Sequence, residues 1–438
     1  MIQKYIKIKD IKTSNNKLKA KLDFSKNISK YFLAEQFFAE YDKNIECIDA
    51  SVLIIPPLSV IIPLSWATGA DIYVEKLDKS FLDSIHKIEY TFHSWFPQFS
   101  FTGNIHVESV VENAIYNRSD DKGYALLFSG GLDSLTSYMR YKDKYPTLIS
   151  IHGADIPTYE YKFWNVVKDR LLNFAYKENA KIQFIKTNAK EILDDVRLQD
   201  DYNVKSWWGS VSHGLILLGS CSPITNTDDI GTLIIASSPS ASVCTPDYVL
   251  ERWGSHPFTD NYIKWSNIKI VHDGFDINKN CYELTRQEKI KFLKNSTNCM
   301  SYLRVCWSQH DEYNCGYCEK CLRTIVGLIL EDIDPEICNF NIKNNILELV
   351  RIYIYKRLFT LRGSEWQDIQ THIPNTMSET ETNKKYNSEK FFEWFKKFDF
   401  SNYKYNNSIL TNFLKFYYLI KYIGIYKGIK VTYHWQRM

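Results

Sequence analysis

Between Tyr124 and Asp273 the chain alternates short apolar runs with longer amphipathic ones, and few folds accept that order. "YALLF", "TLISIHG", "KIQFIKT", "GTLIIASS" and "NIKIVHD" read as buried strands, and "LTSYMRYKD", "YEYKFWNVVKDRLLNFAYKEN" and "SVSHGLILLGSC" as helices between them. A strand followed by a crossover helix pairs in parallel, so the expected class is α/β, a doubly wound parallel sheet covered on both faces. "LTRQEKIKFLK" follows, with Thr285 and Glu288 at capping-box spacing. Ahead of this block, "KYIKIKDI" and "NIHVESVV" alternate at period two and "SKYFLAEQFFAEYDK" has helical spacing. The turn-forming, charged "ENAIYNRSDDKG" is the expected boundary, giving an N-terminal α+β domain over 1–118 and a central domain over 119–334. The aromatic segments "NNILELVRIYIYKRLFTL", "SEKFFEWFKKF" and "SILTNFLKFYYLIKYI" predict a C-terminal helical domain over 335–438.

At 438 residues the chain can bury a large core, and its net charge of +3 supplies no field that would hold nucleic acid unaided. "MIQKYIKIKDIKTSNNK" lacks the apolar centre of a signal peptide. Residues 50–70 carry no charge, but Pro56, Pro57 and Pro63 would interrupt a spanning helix, so a buried strand-and-turn segment is expected there. No membrane partner and a cytoplasmic location follow, where thiols stay reduced and the ten cysteines are not read as disulfides.

The first central strand runs into Phe128, Ser129, Gly130, Gly131, Leu132, Asp133 and Ser134. At the carboxyl end of a parallel strand, serine and two glycines can turn successive N–H groups into one anion-binding nest. The next helix adds its positive dipole end. Asp133 suits such a site once Mg²⁺ accompanies a nucleotide polyphosphate. A plain tight turn between strand and helix is the alternative.

Cys306, Cys315, Cys318 and Cys321 follow C-x8-C-x2-C-x2-C spacing. Four thiolates this close in a reducing compartment read as metal ligands, and with no open position a Zn²⁺ would be structural. Iron–sulfur ligation is the rival reading. Cys47, Cys221, Cys244, Cys281, Cys299 and Cys338 have no partner spacing and read as core thiols, with Cys244 set apart by its polar loop.

S-G-G-L-D-S is not a Walker A loop, since no lysine follows its glycines. It resembles the S-G-G-x-D-S signature of the PP-loop ATP pyrophosphatases at every specified position. With the cysteine cluster and Arg323 after its last member, the stretch from about 124 to 330 resembles the 7-cyano-7-deazaguanine synthase (QueC-like) family. That resemblance implies ATP cleavage to AMP and pyrophosphate, adenylation of a carboxylated 7-deazaguanine, attack by ammonia and a structural zinc. It also assigns His152 and Gly153, after the second strand, to the nucleotide, and Asp133, Ser134 and Arg286 to catalysis. The substrate side departs from the family. Ser212-His213 replaces an Arg-Asn pair, "ASSPSASVCTPDYVLERWGSHPF" replaces the loop over the base, and Arg286 replaces a lysine. Enlarged relatives of this outline look like those of bacterial antiphage operons. They imply transfer of the activated group to an amine, ammonia or that of a protein acceptor from the same operon. Synthesis of 7-cyano-7-deazaguanine, or a non-catalytic nucleotide-binding subunit of a defence complex, are the alternatives.

Of the other ligand-side residues, His213, His256 and His152 read first as structural histidines, with His256 in an outward-facing turn. Asp155 is equally a nucleotide contact or a loop cap, and Trp207, Trp208 and Trp253 read as core, with stacking on a purine-like base as the alternative. A tRNA-thiolating enzyme would need a reactive cysteine pair apart from the metal cluster.

Overall fold

The computed structural model describes residues 3–113, 123–237, 254–266, 268–276, 281–306, 313–342, 345–357, 361, 363–377 and 379–400. Its contacts divide the chain into two units. The first holds the described residues up to Ser237 and from Gly254 to Glu283, the second those from Leu284 onward. The division therefore falls at 283/284, not at 118 or 334.

The first unit is built on a ten-stranded, mostly parallel sheet. Its strands are β1 (Tyr5–Ser14), β2 (Lys17–Phe24), β3 (Gln36–Tyr41), β4 (Asp71–Asp78), β5 (Ile105–Val111), β6 (Gly123–Leu127), β7 (Thr147–His152), β8 (Ile182–Thr187), β9 (Ile230–Ala236) and β10 (Lys269–Asp273). They lie in the order β10-β9-β6-β7-β8-β3-β2-β1-β4-β5. The five parallel strands predicted from Tyr124 onward are all present. Numbered from β6, they run 3-2-1-4-5 across the sheet, the doubly wound order whose direction reverses beside the first strand. The N-terminal strands extend the same sheet, because β3 pairs antiparallel with β8 (Ala39↔Thr187, Glu40↔Lys186, Tyr41↔Ile185). Residues 1–113 thus form no separate sheet.

Two local expectations fail. "SKYFLAEQFFAEYDK" gives a short 3-10 turn, Ser29–Tyr31, and then strand β3. Its Phe37, Ala39 and Tyr41 alternate onto the core, so period two prevails over the helical reading. Residues 50–70 are helical, not strand and turn: Ala50–Leu53, then Ile55–Thr68. Asp49 caps the first helix by accepting from Ser51 N (2.9 Å), and Gly69 ends the second at φ +71°. Pro56 and Pro57 fall in its first turn, where no donor is needed. Pro63 inside a helix costs about 3 kcal/mol. Every residue of Ile55–Thr68 is buried, however, and each large apolar side chain so buried contributes about 1.5–3 kcal/mol. Burial wins by a wide margin. Among the described residues no helix is long and apolar enough to cross a membrane.

The second unit is helical apart from its cysteine loop. Arg286–Leu293 starts with the anticipated capping box of Thr285 and Glu288. Glu319–Leu330 is its most buried helix, and Gly327 lets Gln287 come close enough to donate to the Gly327 carbonyl (3.0 Å). Trp366, Phe392 and Phe395 fill the core among Ile346–Arg357, Gly363–Thr371 and Ser388–Lys397. The helix anticipated in "SILTNFLKFYYLIKYI" lies outside the described residues.

Helix Ile55–Thr68 meets helix His213–Ser220 at a small-residue contact, where a Cβ on Gly219 would stand 2.0 Å from Ser59 Oγ. Gly219→Val should therefore destabilise the first unit by about 2–3 kcal/mol through overpacking. Urea unfolding followed by circular dichroism measures it, and an unchanged midpoint would contradict the contact.

Candidate functional site

The bend after β6 leads from the strand straight into a helix. Phe128 N still bonds the Ile149 carbonyl of β7 (2.7 Å), and Gly130 then takes φ +71°, a conformation that disfavours a side chain. Ser129 Oγ accepts from Gly131 N (3.3 Å) and lies 3.5 Å from Ser134 Oγ, which donates to the Gly131 carbonyl (3.1 Å). Helix Leu132–Tyr141 starts here with Asp133 in its first turn. Its dipole and first N–H groups are directed at the bend. Phe128 and Leu132 are buried anchors, Phe128 stacking on Phe174 at 4.8 Å. The loop thus combines hydroxyls, backbone donors and one carboxylate at the strand where sheet direction reverses.

The other predicted nucleotide and catalytic residues are placed differently. His152 is buried, its ring 4.5 Å from Trp164 in a parallel stack and its Nε2 2.9 Å from the Pro157 carbonyl. Burial lowers its pKa from the usual histidine value. Gly153, at φ +106°, lies so near the Thr187 carbonyl that a Cβ would stand 1.7 Å away. Both shape the end of β7. Arg286 belongs to the second unit, as the first residue of helix Arg286–Leu293, and donates to Thr324 Oγ1 (3.1 Å). Arg323, in the same unit, pairs with Glu365 (2.9 Å).

His256 does not face outward. It is fully buried, caps the short helix Pro257–Asp260 by accepting from Phe258 N at Nδ1 (3.1 Å), and meets Trp95 edge-on at 4.9 Å. The turn folds inward because an aromatic ring buries more surface than it exposes. Trp207 is core, as expected, while Trp208 sets its ring 5.0 Å from His213 and under Lys190. Cys244, Trp253 and most of the loop expected over the base lie outside the described residues.

Sequence reading missed one pair. His272 and Asp273 end β10, and being consecutive they leave opposite faces of the sheet. Asp273 turns toward the loop's helix, accepting from Ser137 Oγ (2.6 Å) and meeting Arg140 Nε at 3.4 Å. His272 turns the other way, and its Nδ1 stands 2.9 Å from Asp260 Oδ2. Asp260 also accepts from Ser255 Oγ (2.6 Å), and both side chains are almost wholly buried. His272 Nε2, also buried, has no hydrogen-bond partner among the described residues. An unsatisfied buried acceptor costs about 1–3 kcal/mol. A signal existed, since "HD" closes a predicted strand at its ligand end. His213 is close by, its pKa lowered by burial against the opposing pull of Asp155 and Asp260.

In the second unit, Cys306, Cys315, Cys318 and Cys321 gather with all sulfurs within 4.8 Å of one another. Cys306 and Cys318 stand 4.0 Å apart, Cys315 and Cys321 3.8 Å. Metal–sulfur bonds of about 2.3 Å in a tetrahedron separate the sulfurs by about 3.8 Å. The knuckle needs Gly316, which has φ +72° and packs against the Asn341 carbonyl, and Cys318 N points at Cys315 Sγ (3.3 Å). Buried Asn314 holds both arms, accepting from Val305 N (2.9 Å) and donating to the Leu303 carbonyl (2.7 Å). Crowding with the other thiols pushes those of Cys315 and Cys321 far up, so four thiolates need a cation between them. The cluster could hold a metal such as zinc.

Elemental analysis should find one metal ion per chain and none in Cys315→Ser, whose melting temperature should fall by several degrees; metal-free wild-type protein of full stability would refute this. No protein-family model, curated protein or solved structure matches the chain.

Proposed function

We propose that the chain uses ATP to adenylate the carboxylate of a 7-carboxy-7-deazaguanine-like base and transfers the acyl group to an amine. That amine is ammonia or the side chain of a protein, in the setting of antiphage defence. One observation carries the reading: the Ser129–Ser134 bend, with the PP-loop pattern intact, follows the strand where the doubly wound order reverses. In such sheets ligands bind outside the carboxyl ends at that point.

The chemistry follows from the groups at the bend. Ser129, Ser134 and the N–H groups of residues 130–134 hold the β- and γ-phosphates, with Asp133 placed for the Mg²⁺ that accompanies ATP. The substrate carboxylate attacks the α-phosphorus, a P–O bond forms, the α–β bridge breaks, and pyrophosphate leaves with the electron pair. Charge growing on pyrophosphate meets fixed donors that need no reorganisation. In the second unit we read the ion as Zn²⁺ held by four sulfurs, which leaves no position for chemistry.

Incubation of the full chain with ATP, Mg²⁺ and 7-carboxy-7-deazaguanine should release pyrophosphate and AMP. Asp133→Asn and Ser134→Ala should each lower that rate about 10²-fold while leaving the melting temperature within about a degree. Unchanged rates in both variants would reject the loop as the phosphate site.

A further inference from the structure

We infer that the buried His272–Asp260 pair is the proton acceptor for the attacking amine, a role that rests on the adenylation reading above. The pair lies where the second half-reaction needs it. His272 pairs with Ile235 of β9, whose neighbour Ile234 pairs with Leu126 of β6. His272 is therefore level with Leu127, the residue before the bend begins, two strands or about 10 Å across the sheet. Asp273, bonded to Ser137, ties the same strand end to the loop's helix, so β10 and the bend share one rim.

The two sheet faces divide the work. Helix Leu132–Tyr141, on the side to which Asp273 points, presents the phosphate donors. His272 points to the opposite side, and in doubly wound sheets the ligand crevice at the reversal point lies between elements of both sides. An acyl-adenylate lying across it has its phosphate near the bend and its acyl carbon displaced toward the His272 side.

The geometry of the pair selects a base. Because Asp260 is an acceptor, His272 Nδ1 carries the hydrogen in their contact, and in the neutral imidazole the lone pair is then on Nε2. Asp260 is itself oriented, accepting from Ser255 Oγ and contacting Thr259 Oγ1 (3.3 Å), while His272 N donates to Asn261 Oδ1 (2.8 Å). Gly214 admits the carboxylate, since a Cβ there would stand 2.6 Å from Asp260 Oδ1. A ring fixed this firmly, with its second nitrogen buried and without a partner among the described residues, suits a proton acceptor awaiting its donor. In the step, the amine lone pair forms the C–N bond, the carbonyl–phosphate C–O bond breaks, AMP leaves with its electrons, and the proton released from nitrogen passes to His272 Nε2.

Two acceptors separate this role from a structural one. Hydroxylamine is largely unprotonated and strongly nucleophilic, so it captures an acyl-adenylate with little need of a base, whereas ammonia needs one. With the full chain, ATP and 7-carboxy-7-deazaguanine, His272→Gln should keep hydroxamate formation within about threefold of wild type. Amide formation with ammonia should fall about 10²-fold or more. Ser255→Ala, which removes one support of Asp260, should lower the amide product alone by several-fold and serves if His272→Gln does not fold. Equal loss of both products, or an amide rate unchanged in either variant, overturns the inference. Failure of wild type to release pyrophosphate removes the adenylation reading, and this role with it.

Discussion

The antiparallel pairing of β3 with β8 is the contact on which the first unit depends. Without it β8 would be the open edge of a five-stranded parallel sheet, and the N-terminal strands would have no sheet to join. Side chains reinforce the ladder. Asn188 accepts from Phe38 N (2.8 Å) and donates to the Gln36 carbonyl (2.8 Å), Thr187 Oγ1 donates to the Phe38 carbonyl (2.8 Å), and Asp42 accepts from Phe184 N (2.7 Å). These bonds join residues some 150 apart in sequence and make two halves one sheet.

That continuity gives the first unit an unusual core. Helix Ile55–Thr68 is buried all round, touching helix His213–Ser220 through Ser59 and Gly219. Asp78 caps helix Lys79–Trp95 through Phe81 N (3.0 Å), and its other oxygen accepts from Asn113 (2.6 Å) and Ser266 N (3.1 Å). One buried carboxylate thus ties its own helix to two distant segments.

The cysteine unit stands on different physics. Its sulfurs meet because Gly316 can take a left-handed conformation and because Asn314 clamps the two arms, while Cys318 and Cys321 come from the start of one helix. Thiols packed this tightly resist joint ionisation, so a metal held there and the fold would stabilise each other.

Local pattern alone settled much here. The five strands after Tyr124, the glycine bend that follows the first of them, the capping box at Thr285 and the cysteine spacing all depend on residues a few positions apart, and period and turn chemistry act at that range. Tertiary structure decided what local pattern left undetermined. Residues 36–41 became a strand because β2 and β8 offered hydrogen bonds on both sides. The proline-bearing run became a helix because complete burial outweighed a broken hydrogen bond. His256 turned inward against Trp95, and His272 met Asp260, through strand register and helix packing. Such pairings depend on which distant surfaces come together, and no short window of sequence contains that information.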